Sequence, residues 1–145
     1  MSNEINVFAL FCEDVRREAD KKNSLMGVLP NTINVPDFPG VLLRLCVYIR
    51  VNFGMEFDSE DIPMKLILPS GEELNFTSID RELLKKSQAE AKQQNKTVAG
   101  VLTIAEFRNL AIEKPGAIRV TARIKQQDQL CGILHVEKIA DQFKS

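Results

Sequence analysis

The sequence predicts an all-β fold: an antiparallel, immunoglobulin-like β-sandwich of about seven or eight strands with one inserted α-helix near residues 79–94. Three observations carry this expectation. Val41 to Phe53 alternates with a period of two, which puts Leu43, Leu45, Val47, Ile49, Val51 and Phe53 on one face and Leu42, Arg44, Cys46, Tyr48, Arg50 and Asn52 on the other. Ala117 to Lys125 repeats the pattern, with Ile118, Val120, Ala122 and Ile124 opposed to Arg119, Thr121, Arg123 and Lys125. Turn signals separate these and further apolar runs, and only the segment after Thr77 changes to a helical pattern. A true antibody-type domain is not expected, because there is no tryptophan and no convincing inter-sheet cysteine pair.

In chain order, Ile5 to Cys12 reads as a strand, Glu13 to Asn23 as a charged connection, and Ser24 to Leu29 as a second strand, together a long hairpin or a strand, loop and strand. Pro30, Pro36 and Pro39 punctuate the path, and Thr32, Ile33 and Val35 suggest a short edge segment before Gly40 releases the chain into Val41–Phe53. That strand would reach roughly 40 Å at about 3.3 Å per residue, so it is expected to be central, with neighbours on both sides. After the acidic stretch Glu56, Asp58, Glu60 and Asp61, Met64–Leu68 and Glu72–Phe76 form a hairpin about Pro69-Ser70-Gly71. Thr77 or Ser78 can cap a helix with Asp80 in its first turn and with Ile79, Leu83 and Leu84 as its apolar patch. Beyond Lys86 that patch runs out into SQAEAKQQNK, so the helix is expected to dock by its first two turns and fray at its end while crossing the sandwich. Strand character resumes from Val98 to about Phe107. Lys114-Pro115-Gly116 is a turn, Gln126 to Gln129 a polar loop, Leu130 to Val136 the last strand, and the polar sequence from Glu137 a loose end. The domain reading is one sandwich over residues 1–138 and a polar tail over 139–145.

With 145 residues the chain is long enough for one domain with a sizeable core. Its 19 basic and 20 acidic side chains give a net charge of −1, which provides no whole-molecule field for nucleic acid or an anionic membrane. MSNEINVFALFCED lacks a basic start and an uninterrupted apolar run, and no segment is apolar enough to span a bilayer, so a cytoplasmic location is expected. Cys12, Cys46 and Cys131 cannot all pair within one chain, and each lies in or at the end of an apolar run, which suits reduced core or near-core thiols.

Phe11, Cys12, Glu13, Asp14, Val15, Arg16 and Glu18, then Lys22, then Ser24, Leu25, Met26, Gly27 and Val28, then Pro36, Phe38 and Pro39, stand in an order of moderate specificity. This pattern resembles an uncharacterised family of small bacterial β-sandwich proteins. The Val41–Phe53 and Pro115-Gly116 segments are similar to it as well, and the helical segment is not. The chain departs from the pattern at the hairpin turn, where Asp20 and Lys21 stand in place of glycine. The resemblance implies a sandwich and supplies no activity, cofactor or partner.

Among candidate sites, Glu13, Asp14, Arg16, Arg17 and Glu18 form the densest polar cluster. Asp14 and Arg16 could bind a ligand at one end of the sandwich, but charges at strand ends more commonly tie a hairpin to its neighbours. The acidic run at 56–61 matches no calcium-loop spacing, and His135, the only histidine, faces away from Leu134 and Val136. With no Walker motif, nucleophile elbow or zinc-ligand spacing, no catalytic residue, metal or cofactor is assigned. If Val41–Phe53 and Ala117–Lys125 share a sheet, Arg44, Tyr48 and Arg50 join Arg119, Arg123 and Lys125 in a basic face suited to an anionic partner. The expected function is therefore a non-catalytic module binding a protein partner or its own copy as a homodimer. The alternative is a small-anion or nucleotide binder using that face or the Asp14–Arg16 loop. An enzyme would need a pocket collecting Asp14, Arg16 and His135.

Overall fold

In the computed structural model, which describes residues 4–140, the elements run β1 (Ile5–Arg17), β2 (Asn23–Val28), β3 (Thr32–Val35), β4 (Gly40–Gly54), β5 (Ile62–Ile67), β6 (Glu73–Ile79), α1 (Arg81–Gln93), β7 (Val98–Ile112), β8 (Gly116–Ile124) and β9 (Gln127–Lys138). They form a four-stranded sheet, β2-β1-β4-β7, and a five-stranded sheet, β3-β9-β8-β5-β6. Short β3 runs parallel to β9 at an edge, and the other pairings are antiparallel. The fold is thus an all-β sandwich with one helix, as expected, with one more strand than the upper expectation.

β4 is central, between β1 and β7. Leu45, Val47, Ile49, Val51 and Phe53 point into the core, where they meet Ile118, Val120, Ala122 and Ile124 of β8 and Leu134 and Val136 of β9. Leu43 breaks the expectation: it is 75% exposed. The cause lies across the ladder, which omits the Leu43–Asn109 pair and where Asn109 takes φ 54. Past this point the buried parity inverts, so that Leu110 and Ile112 face the core and Leu42 packs against it.

Of the two readings, the long hairpin holds: β1 continues through the charged segment to Arg17, and β2 begins at Asn23. The first half of β1 pairs with β4, from Ile5↔Phe53 to Cys12↔Cys46, and its second half with β2, from Cys12↔Val28 to Arg17↔Asn23. The backbone N–H of Glu18 donates to Lys22 O at 2.7 Å to close the turn, and Lys21 supplies the left-handed residue, φ 67, where glycine is the usual choice.

α1 starts later than expected, because Thr77 and Ser78 belong to β6 and Asp80 is the N-cap, accepting from Glu82 N–H at 3.1 Å. It is also docked along its length. Leu84, Ser87, Gln88 and Ala91 recur at i, i+3, i+4 and i+7, and Leu84 and Ala91 are buried. Ser87 Oγ donates to Gly100 O at 2.9 Å, while Gln88 Nε2 donates to Gly54 O and Phe57 O, each at 3.0 Å. Half of the docking face is polar, so hydrophobicity alone ends it too early; Leu83, expected in the patch, is exposed.

The expected 126–129 loop is a two-residue turn. Lys125 and Gln126 are both left-handed, φ 53 and 66, which suits the twist of a tight hairpin, and Ile124 pairs directly with Gln127. β9 runs on to Lys138 and Ile139 N–H donates to Val35 O at 2.9 Å, so the chain is held beyond Glu137. Residues 141–145 of the expected tail lie outside the described residues.

Candidate functional site

β4 and β8 lie in different sheets, so the single basic face does not exist. Arg44, Tyr48 and Arg50 project from the outer side of the four-stranded sheet, and Arg119 and Arg123 from the outer side of the five-stranded one. Alternation correctly places all of them outward, but β8 spends its two edges on β5 and β9. Arg123 serves its own hairpin, with Nη1 3.2 Å from Asp128 Oδ1 and Nη2 donating to Gln126 O at 3.2 Å.

The outer side of the four-stranded sheet is ordered in cross-strand rows. Phe8, Arg50 and Leu102 form one, Leu10, Tyr48 and Ile104 the next, and Cys12, Cys46 and Glu106 the third. In the following row Arg44 faces Arg108. Opposed like charges repel, and Glu106 relieves this: its Oε2 accepts from Arg44 Nε at 2.9 Å and its Oε1 from Arg108 Nε at 2.6 Å. Asp14 extends the network, with Oδ1 2.9 Å from Arg44 Nη2 and Oδ2 3.6 Å from Arg16 Nε. The Arg44 and Arg108 hydrogen bonds hold the Glu106 carboxyl below its ordinary pKa, and Glu106 in turn raises that of Arg44. Asp14, Arg16 and Arg44 are therefore brought together, as a charged tie at the point where β1 leaves β4.

Beside this tie, Cys12 and Cys46 are free, buried and directly opposed. Cys12 Sγ donates to Cys46 O and Cys46 Sγ to Glu13 O, both at 3.8 Å. Burial is the main cause raising both thiol pKa values; it pushes that of Cys131, on β9, to about 11. All three sulfurs are protonated near neutral pH, which makes them poor nucleophiles.

Two concave regions border the tie. On one side the far end of the β1–β2 hairpin faces the sheet across a cavity of about 530 Å³, lined by Arg17, Lys21, Lys22 and Asn23 above and by Leu102, Thr103 and Ile104 below. It adjoins a cavity of about 620 Å³ that shares Lys21, Lys22, Asn23 and Leu102 and adds Tyr48 and Arg50. On the other side a notch of about 550 Å³ is lined by Leu29, Ile33, Val41 to Leu45, Glu13 and Asp14. Here β1 has peeled away, and the β1-facing edge of β4 from Val41 to Leu45 has no strand partner among the described residues. Val41 is 54% exposed, and Met26 and Val28 on β2 are exposed as well.

The acidic stretch at 56–61 has structural duties. Glu60 Oε1 accepts from Lys125 N–H at 2.6 Å, Asp58 O accepts from Lys125 Nζ at 3.1 Å, and Asp61 Oδ1 accepts from Arg81 N–H at 2.8 Å. Among the described residues no group of three His, Cys, Asp or Glu side chains could hold a metal ion, and no helix is long and apolar enough to cross a membrane. His135 is exposed on β9, in the other sheet from Asp14 and Arg16.

Sequence reasoning missed Glu106 and Arg108, whose alternation along β7 was a usable signal. It also missed the convergence of Arg17, Lys21 and Lys22, which carries no local signal because these residues sit among acids in the chain.

No curated protein and no solved structure matches the chain. The sequence profile of a family of unknown function, DUF6941, matches residues 7–136, from within β1 to within β9. With nearly the whole sandwich covered, the chain belongs to the DUF6941 family.

Proposed function

We propose that this protein is a non-catalytic interaction module that accepts a β-strand of a protein partner along the β1-facing edge of β4. The observation that carries this reading is the edge itself: Val41 to Leu45 has no strand partner on this side among the described residues, and Val41 and Leu43 are largely exposed. An unsatisfied strand edge recruits another strand through its backbone, and neighbouring apolar side chains add burial. The simplest occupant is a second copy, because two such edges can pair antiparallel about a two-fold axis near Leu43. The engagement of Asp14, Arg16, Arg44, Glu106 and Arg108 with one another supports a non-catalytic role. The unbridged, opposed thiols of Cys12 and Cys46 are in keeping with a reducing compartment such as the cytoplasm.

Light scattering tests the reading. The wild-type chain is expected to have a dimer mass, and Leu43→Glu a monomer mass with the circular dichroism spectrum of wild type, since Leu43 contributes little to the core. A wild-type monomer at about 100 μM, well above an ordinary micromolar dissociation constant, would rule out the homodimer.

A further inference from the structure

We infer that the trough between the β1–β2 hairpin and the outer side of the four-stranded sheet binds a small organic anion with a flat apolar body, the chemistry of a nucleoside monophosphate. This is independent of the β4 edge, because the trough lies on the other side of the Asp14–Arg44 tie. Charge in the trough is one-sided. On a chain of net charge −1, the trough gathers Arg17, Lys21, Lys22 and Arg50, with Glu18 the only acidic lining residue among those described. Arg17, Lys21 and Arg50 form no ion pair with another described residue, and Lys22 holds only the exposed Asp20, at 3.1 Å. The contrast with Arg44, Arg108 and Arg123, each matched to a carboxylate, is direct. Cations left unmatched around one concavity repel one another, and a phosphate relieves that repulsion while giving the guanidinium of Arg17 or Arg50 two oxygens to bind.

The floor of the trough is largely apolar. Tyr48 lies in register between Leu10 and Ile104, and Leu102, 39% exposed, lies beside Arg50 in the next row. An aromatic ring flanked by aliphatic side chains is a surface for a flat body such as a nucleobase, with the phosphate directed to the hairpin cations. The volume, about 530 Å³ in the first cavity alone, lies within the range for small-molecule sites. The two walls come from different parts of the chain and are tied at their junction by Asp14 and Arg44, so the trough is formed before the ligand arrives.

Calorimetric titration with adenosine monophosphate, adenosine and inorganic phosphate tests this. Adenosine monophosphate is expected to bind, with the other two weaker by about tenfold or more, since each lacks one half of the recognition, and added salt should weaken its binding. Arg50→Glu and, separately, Lys21→Glu should each weaken it by about tenfold or more. Lys21 is an exposed turn residue, so its variant tests the site even if Arg50→Glu is unstable. Lys114→Glu, an exposed position outside the trough, should bind as wild type does. The proposal is overturned if adenosine monophosphate does not bind at millimolar concentration, if it binds no better than adenosine, or if folded Lys21→Glu binds it unchanged.

Discussion

Arg44 and Arg108 face each other across the β4–β7 ladder, and Glu106 makes that opposition tolerable by bonding to both. The consequence is a pH dependence whose sign follows from the direction of the shift. The native carboxyl titrates below its ordinary value, so its contribution to stability is complete above the ordinary glutamate pKa and is lost as pH falls through the native one. Glu106→Gln should therefore melt below wild type at neutral pH, and the two melting curves should converge in acid, below the ordinary glutamate range. Thermal unfolding followed from about pH 7 to about pH 3 checks this; a gap that stays constant through the acid range would show that Glu106 stabilises by packing and not by charge. At this scale, Asp14 and Arg16 were legible as a charged pair that ties a hairpin to its neighbours. Their link to Arg44, Glu106 and Arg108 was not, because separation along the chain conceals a cross-strand contact.

At the scale of elements, the helix shows how a docking face can be invisible to a hydrophobic reading. Ser87 and Gln88 continue the stripe of Leu84 and Ala91 and bind carbonyls of β4, β7 and the connection after β4. Gln88→Ala removes the donor shared by Gly54 O and Phe57 O, of which Gly54 O keeps the Phe57 N–H at 3.3 Å, and the loss is expected to cost about 1–3 kcal/mol. Lys85→Ala, on the exposed side, should change stability by no more than about 0.5 kcal/mol. Urea unfolding of both variants is the measurement, and equal midpoints would mean that apolar contacts alone attach the helix. The strands, whose alternation is a local property, were legible almost to their ends. Their missed portions include Glu13–Arg17 and Gln127–Gln129, which are mostly polar and become strands because a neighbouring backbone is available to pair, and Arg108–Ile112, where Asn109 interrupts the alternation.

At the scale of the molecule, the spacing between the sheets depends on one small residue. A Cβ built on Gly132 of β9 would stand 3.0 Å from Ala9 O and 3.1 Å from Ala9 Cβ of β1, so the two layers meet there at glycine contact. Gly132→Val should destabilise the sandwich by about 1–3 kcal/mol through overpacking, read from the denaturant midpoint. Ala9→Gly in the same background should recover part of that loss by removing the opposing methyl. The layering also decides the functional surfaces. Assigning β4 to one sheet and β8 to the other dissolves the basic face expected from their outward arginines. Folding the hairpin end over the sheet gathers different cations, Arg17, Lys21 and Lys22, against Tyr48 and Arg50.

By itself the sequence determined the all-β class, the central strand, the outward or inward sense of nearly every position in β4 and β8, and the single helix. These are consequences of periodicity, which is written in neighbouring residues. Only the tertiary structure decided which strands share a sheet, where β1 exchanges β4 for β2, and which charges meet at the tie and the trough. Strand pairing is made by backbone groups that are alike in every residue, so its choice depends on the packing of the whole chain and leaves little trace in any one segment.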